Sequence, residues 1–357
     1  MGSMNNDKLL WDTAGAVASR LSLESLSGKS VLLTGSTGLI GSQIVRVLLK
    51  ANENNALGVR LILPVRNVEK AKSLFGLRKD CVYYRWSLGN ELRKDFPADY
   101  IIHAACTTSS KDFSERPVET AISIVKGTYQ VWQSAERMNA ARAVLLSTME
   151  VYGETTARPI HESDLGFLDS LRPRNSYPEA KLMSENIVSS FWSEYGLSSS
   201  VVRLTQTFGQ GVKQDDGRVF AEFGRSALSG ENIVLFSDGK KRNTYLSVDD
   251  AVRGILTVLL CGEPGKAYNL SNDDTYCSIL DMAHMVLERF GKPGSKVEFG
   301  NDAVRAASFR KGNDILLDTS AIRALGWEPS QNLEEMYRLL FASWGVASQP
   351  DPSPSKK

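Results

Sequence analysis

Val31-Leu32-Leu33-Thr34-Gly35-Ser36-Thr37-Gly38-Leu39-Ile40-Gly41 reads as a strand, a glycine-spaced turn and the start of a helix. The helical pattern follows at once, with apolar residues at Ile40, Ile44, Val45, Leu48 and Leu49. Without side chains at Gly35 and Gly38, backbone can approach a diphosphate. The unpaired N–H groups and positive end of the helix then stabilise its charge. A glycine pattern alone is a weak signal; an ordinary strand-to-helix turn is the bland alternative. The flanking strand and helix supply the context a dinucleotide site requires.

Working outward, strands are expected at Ser30–Leu33, Arg60–Val65, Val82–Tyr84, Tyr100–Ala104, Ala143–Ser147 and Ser200–Leu204, with helical patterns between them. The longest helices are expected at Pro117–Met138 and Tyr177–Tyr195. Such alternation argues for a doubly wound parallel sheet. After Phe208 the pattern becomes irregular, with helices near Val219–Leu228, Val248–Leu260, Ile279–Phe290 and Leu333–Ser343. This reads as a smaller lobe closing over a site rather than a second independent core. Upstream, Leu9 to Leu26 has helical apolar spacing suited to packing on the first domain or on another subunit, and Met1-Gly2-Ser3-Met4 resembles an expression scar.

Composition narrows the function classes. In a chain of 357 residues, 42 Lys and Arg nearly balance 41 Asp and Glu, so no basic footprint points to nucleic acid. No apolar run reaches the roughly 18 residues of a membrane span, and no secretory signal opens the chain. Cys81, Cys106, Cys261 and Cys277 are scattered, as expected of reduced thiols in the cytoplasm. His103, His161 and His284 lack metal-ligand spacing, so no metal is expected.

The second strand should end in a residue that reads the adenosine ribose: a carboxylate for ribose hydroxyls, an arginine for a 2′-phosphate. Leu63-Pro64-Val65-Arg66-Asn67 offers no carboxylate. Arg66 therefore points to NADP unless it is a solvated loop charge. Ala104 and Ala105, after His103, are small enough for the loop to pass under a cofactor. Helix packing explains them equally well.

Tyr177-Pro178-Glu179-Ala180-Lys181 places a phenol and an ammonium four residues apart, on one helical face. The lysine is expected to lower the tyrosine pKa toward the range of a working acid/base, and an oxidised nicotinamide would add to that effect. The preceding strand ends in Ser147-Thr148, whose hydroxyl can share the substrate's proton network.

Together these pieces resemble an extended short-chain dehydrogenase/reductase of the NAD-dependent epimerase/dehydratase group that modifies nucleotide sugars. The matching segments are Thr34/Gly35/Gly38/Gly41, Ser147–Gly153, Tyr177/Lys181 and Arg203–Gly209. Further matches are Arg242 before Tyr245–Asp250, Tyr268-Asn269-Leu270 and Leu325–Pro329. The resemblance covers roughly Gly28 to Trp344. It implies an α/β fold, a Rossmann-type doubly wound parallel sheet with a smaller C-terminal α+β substrate-binding lobe. The chain is expected to divide into a helical extension over 1–27, a mainly dinucleotide-binding domain carrying the Tyr177/Lys181 helix over 28–207, a mainly substrate-binding lobe over 208–346 and a disordered tail over 347–357. It also implies a tightly held NAD, a nucleoside-diphosphate sugar and a transient keto-sugar.

By this resemblance Thr148, Tyr177 and Lys181 are catalytic. Gly35, Thr37, Gly38, Leu39, Ile40, Gly41, Arg66, Ala104 and Ala105, with Tyr177 and Lys181, hold the cofactor. Thr107, Thr148, Met149, Gln206 and Arg242 meet the substrate, Arg242 at its diphosphate. Arg242 within the Lys240-Lys241-Arg242 run is otherwise a plain surface charge. A homodimer is also implied, through the two long helices, where Val125, Tyr129, Trp132, Phe191 and Trp192 suit an interface or the core equally well.

The departures bear on the reaction. Sugar 4,6-dehydratases have Asp-Glu after the catalytic threonine and glucuronate decarboxylases Ser-Glu; here the pair is Met149-Glu150. Glu150 is either a base beside the C4 ketone or a structural carboxylate paired with an arginine. Arg172–Tyr177 resembles the decarboxylases' approach to the tyrosine. Gln206 and Gln210 replace the family's Asn and Pro, which suggests a reshaped substrate pocket, and Ile124 replaces another Asn. A 4-epimerase needs neither flanking acid and is the leading expectation. Decarboxylase and 4,6-dehydratase follow. An NADPH-dependent carbonyl reductase and a non-catalytic dinucleotide-binding protein are the remaining alternatives.

Overall fold

The computed structural model describes residues 2–106, 110–301 and 314–346. Helix α1 (Gly2–Ala18) precedes a β/α series: β1 (Ser30–Thr34), α2 (Leu39–Asn55), β2 (Arg60–Val65), α3 (Val68–Phe75), β3 (Cys81–Arg85) and β4 (Tyr100–His103). Then come α4 (Ser110–Glu115), α5 (Pro117–Arg137), β5 (Arg142–Thr148), α6 (Ser176–Tyr195), β6 (Ser199–Leu204) and β7 (Gln206–Phe208). The remainder brings α7 (Val219–Ser229), β8 (Ile233–Leu235), β9 (Arg242–Ser247), α8 (Val248–Cys261), β10 (Ala267–Leu270), β11 (Asn272–Ser278), α9 (Ile279–Phe290) and β12 (Val297–Phe299). Two helices, Ser320–Arg323 and Leu333–Ser343, close the described chain.

Seven strands form one sheet in the order β10-β6-β5-β4-β1-β2-β3. All of its pairings are parallel. Alternation along each strand feeds two cores. Val31 and Leu33 join the layer of α1, α2 and α8, while Leu32 faces the layer of α5 and α6. In β5, Val144 and Leu146 take the first side, Ala143 and Leu145 the second. Among the residues left open between core and interface, Trp132 and Phe191 are core, whereas Tyr129 and Trp192 stand on the outer face.

A chain division after residue 207 is not a division of this sheet. After the lobe's first strands the chain returns: α8 packs on it, and β10 pairs with β6, Tyr268 opposite Val202. The lobe also has a core of its own, contrary to the expectation of a lid without one. Phe208, Phe220, Tyr245, Tyr337 and Phe341 bury one another there, with Phe208 stacked on Phe220 at 4.4 Å. Five aromatics, drawn from β7, α7, β9 and the Leu333–Ser343 helix, provide enough apolar area for that. The lobe's strands form a three-stranded sheet, β11-β9-β7, and a β12-β8 pair.

Helix α1 packs on α2 through Ala14, Val17 and Ala18. Arg46 of α2 is buried beneath Trp11, its guanidinium 5.8 Å from that ring. Thus the extension is part of the fold. Among the described residues no helix is long and apolar enough to cross a membrane. The expected tail, 347–357, lies outside the described residues.

Candidate active site

The sheet reverses its winding between β1 and β4, and open α/β sheets bind ligands beyond the strand ends at such a point. A cavity of about 340 Å³ lies there, lined by Gly35, Ser36, Thr37, Arg66, Trp86, Ala105 and Cys106. Gly35 has φ +74°, and a Cβ on it would stand 2.6 Å from the Ala104 carbonyl carbon. One on Gly41 would stand 2.3 Å from the Gly35 oxygen. The turn is therefore pressed against both the end of β4 and its own helix. Gly38 caps α2 with no side-chain hydrogen bond, so the first-turn N–H groups at Leu39, Ile40 and Gly41 face outward from an uncapped end. Ser36 Oγ is fully buried and, among the described residues, unpaired. These features fit a bound diphosphate.

His103 Nδ1 and Thr34 Oγ1, 2.7 Å apart, pin β4 to β1, and the Ala105 N–H donates to the same hydroxyl at 3.2 Å. Burial first, and the Lys181 charge second, push the His103 pKa down to about 3, so the ring stays neutral. Gly35→Ala is expected to cost about 1–2 kcal/mol for the left-handed backbone alone, before the clash with Ala104 is counted. Thermal unfolding checks this: the variant should melt lower and lose the rise in Tm that a dinucleotide gives the parent protein.

Tyr177 and Lys181 emerge from the first turns of α6, both buried, and Thr148 ends β5 opposite them. Tyr177 shares a hydrogen bond with the Thr148 side chain. Lys181 Nζ donates to the Leu146 carbonyl at 2.7 Å and also bonds the Cys106 thiol. The expectation that lysine lowers the tyrosine pKa is overturned. Burial raises the phenol well above its ordinary value, the Cys106 and Glu150 charges add to this, and Thr148 and Arg174 only oppose it. The reason is local: Lys181 is engaged elsewhere, while Phe113 stacks on the Tyr177 ring at 4.2 Å.

Cys106 joins this group to the cavity, since it lines the one and bonds the lysine of the other. Its place directly after Ala104-Ala105 was the only sequence signal for it. Phe113 gave none, while Arg174 lay within the Arg172–Tyr177 run that resembles the decarboxylases' approach to the tyrosine. Arg174 NH1 donates to Glu150 Oε2 at 3.3 Å, so the structural partner considered for Glu150 exists. Met149 packs against the Val151, Tyr152 and Ile160 cluster. It offers no proton there.

Arg66 is exposed at the cavity edge. Gln206 is half-buried in β7 opposite Tyr245, its Oε1 unpaired among the described residues. Arg242 begins β9, with Tyr276 under its guanidinium at 4.8 Å and Asp281 at 3.7 Å. At ~3.3 Å per residue, it stands roughly 10 Å along the strand from Tyr245. Thr107 lies outside the described residues.

Gln210 is held inside the fold. It is buried and donates to Asp249 at 2.6 Å, as Gln43 of α2 does at 3.1 Å. Burial pushes Asp249 up to about 6, while the glutamine donors oppose this. Gln210 therefore ties the lobe to the helix that begins at the glycine turn.

Residues 31–271 match the sequence profile of the NAD dependent epimerase/dehydratase family. UDP-glucuronic acid decarboxylase 4 of Arabidopsis thaliana is 30% identical over 85% of this chain and 66% of its own length. The Xenopus tropicalis UDP-glucuronic acid decarboxylase 1 is 28% identical over 86% of this chain and 70% of its own. The chain thus spans about two thirds of these relatives. Among solved structures, the Thermotoga maritima UDP-glucose 4-epimerase with UDP-glucose aligns with a TM-score of 0.75 at 24% identity, covering 88% of this chain and 98% of that one. A UDP-glucuronic acid 4-epimerase from Bacillus cereus, in complex with UDP-glucuronic acid and NAD, gives 0.73 at 20% identity, with the same coverage. At these identities the structural likeness speaks for the fold.

Proposed function

We propose, from the premise that the chain belongs to the NAD dependent epimerase/dehydratase family, that it converts a nucleoside-diphosphate sugar through a transient 4-keto intermediate. Epimerisation at C4 is the leading outcome. The carrying observation is the joining of Thr148, Tyr177 and Lys181 to the glycine-lined cavity through Cys106.

Gly35, Thr37, Gly38, Leu39, Ile40 and Gly41 would hold the dinucleotide diphosphate, and Ala104 and Ala105 would pass beneath it. What a bound NAD supplies is a hydride acceptor that returns the hydride within one turnover. Tyr177 takes the proton of the sugar C4 hydroxyl, with Thr148 sharing the hydrogen bond and Lys181 holding the end of β5 in place. A phenol desolvated this far is a stronger base once ionised, which suits it to taking the hydroxyl proton, and the more basic C4 alkoxide can take that proton back at the end of the cycle. Gln206, Thr107 and Met149 would border the sugar and Arg242 its diphosphate, as a guanidinium fork suits phosphate oxygens.

Epimerisation requires only that the keto-sugar turn over before the hydride returns, and Met149 is compatible with that. The second reading, decarboxylation, is favoured by the relatives and by elementary chemistry. A C4 ketone makes a C6 carboxylate a β-keto acid, which loses carbon dioxide without an acid at position 149. Dehydration is less favoured, because a leaving hydroxyl needs the proton that Met149 cannot give.

Mass spectrometry of products from UDP-, dTDP-, CDP- and GDP-sugars decides among these. An unchanged mass with altered retention marks epimerisation, loss of carbon dioxide decarboxylation, and loss of water dehydration. Stoichiometric loss of NADPH absorbance would instead mark a net carbonyl reductase. Tight ligand binding without any conversion would mark a non-catalytic dinucleotide-binding protein.

NAD is the proposed cofactor, with NADP the alternative that Arg66 supports. If Arg66 reads a 2′-phosphate, Arg66→Ala weakens NADP binding about tenfold, the scale of one charge-assisted hydrogen bond, and leaves NAD affinity unchanged. Titration calorimetry with both dinucleotides measures this. Equal, unchanged affinities would make Arg66 a solvated loop charge.

The protein would act as a cytoplasmic homodimer. Val118, Ile122 and Tyr129 of α5 and Met183, Trp192 and Tyr195 of α6 leave an exposed apolar face that a second copy would cover.

A further inference from the structure

Phe113 reaches the centre of the site from α4, a helix of only six residues. Its side chain is 2% exposed and packs with Ile124 of α5 and with Tyr177 and Ala180 of α6. Its ring lies nearly parallel to the Tyr177 ring, at 11° and 4.2 Å between centroids. The Arg174 guanidinium lies over the same Phe113 ring at 5.0 Å, and Arg174 in turn donates to Glu150. One apolar ring thus contacts both the phenol and the cation that holds the neighbouring carboxylate.

The geometry points to Phe113 as a positioning residue: its ring fixes the orientation of Tyr177, shields it from water and links its placement to the Glu150–Arg174 pair. This rests on the reading of Tyr177 as the acid/base.

Three physical arguments support it. First, a stacked aromatic at this distance leaves the phenol little freedom to swing, and proton transfer depends steeply on its reach. Second, burial is the largest cause of the raised Tyr177 pKa, and Phe113 supplies part of that burial on a ring face. Third, the guanidinium is attracted to the ring face, so Arg174 is held by Phe113 and Glu150 together. Removing the ring would free Arg174 to draw Glu150 away.

The test combines spectroscopy with kinetics. Phenolate absorbance is titrated over the pH range in which the fold persists, and Tyr177 is isolated as the difference between each protein and its Tyr177→Phe counterpart. In Phe113→Ala the Tyr177 midpoint should fall by about one pH unit or more, because water now reaches the phenol and relieves its desolvation. The kcat for a converted nucleotide sugar should fall about tenfold or more, with KM and dinucleotide affinity within about twofold, as expected for lost orientation rather than lost binding. Phe113→Tyr, which keeps a stacking ring, should restore both. Where Phe113→Ala does not hold its fold by circular dichroism, Phe113→Leu is read by the same criteria. An unmoved Tyr177 midpoint, or Phe113→Tyr failing like Phe113→Ala, overturns the inference. The titration needs no turnover, so inactivity of the parent protein on every sugar would sink the functional reading and leave this one standing or falling by itself.

Discussion

Tyr177→Phe lowers turnover by about 10²-fold or more, the scale of a positioned acid/base, while leaving dinucleotide and nucleotide-sugar binding within a few-fold of the parent. The phenol oxygen is the only atom removed. The ring remains to stack on Phe113 at the present 4.2 Å, so the local packing that holds α6 against α4 and α5 survives. What disappears is the proton carrier and the hydrogen bond with Thr148. Steady-state kinetics on whichever nucleotide sugar is converted, with calorimetry for binding, separates the two effects. A variant with near-parent turnover would remove Tyr177 from the chemistry. Since the desolvated phenol sits well above its ordinary pKa, activity in the direction that starts from the sugar hydroxyl should rise with pH, as more of the base form becomes available.

The largest loss of stability is expected from Arg203→Met. Arg203 NH2 meets Glu185 Oε2 at 2.7 Å, with side chains only 6% and 10% exposed. The same guanidinium donates to the Tyr152 hydroxyl at 3.0 Å and to the Glu162 carbonyl at 2.7 Å. Tyr152 goes on to Asn269 of β10, and Glu185 accepts from Ser147, beside Thr148. The network therefore ties β5, β6, β10 and α6 together directly beneath the site. Methionine fills the volume but leaves Glu185 buried without its cation, a change that costs about 3–5 kcal/mol. Chemical denaturation at neutral pH checks the figure. A loss within the range of a surface substitution would show that solvent reaches Glu185 and replaces the arginine.

This network also shows where the sequence was legible and where it was not. A short unbroken apolar run placed β2, and a 3.6-residue period placed α9, at their observed bounds, because a central parallel strand is buried on both faces and α9 on one. Sheet partners leave no such local trace. Nothing in Tyr268-Asn269-Leu270 distinguishes a lobe strand from one that returns to β6, since only the long-range pairing decides it. In the site, Tyr177 and Lys181 are readable because four residues make one helical turn. Cys106, Phe113 and Arg174 come from separate segments and meet only once the sheet has brought α4 and α6 together. The tyrosine pKa was misjudged for a related reason. The sequence shows a lysine one turn away but not that its ammonium is spent on Leu146 and Cys106. Gln210 was likewise visible as a departure, yet its partner Asp249 lies in another element.

A nucleotide sugar carrying deuterium at C4, incubated with the protein and no added reductant, addresses the proposed chemistry most directly. If the hydride leaves C4 and returns from the same bound cofactor, the product keeps its deuterium at C4 and the external nicotinamide pool shows no net change. Product without that deuterium, or product formed only in step with consumption of external NADPH, would contradict an internal redox cycle through a 4-keto sugar.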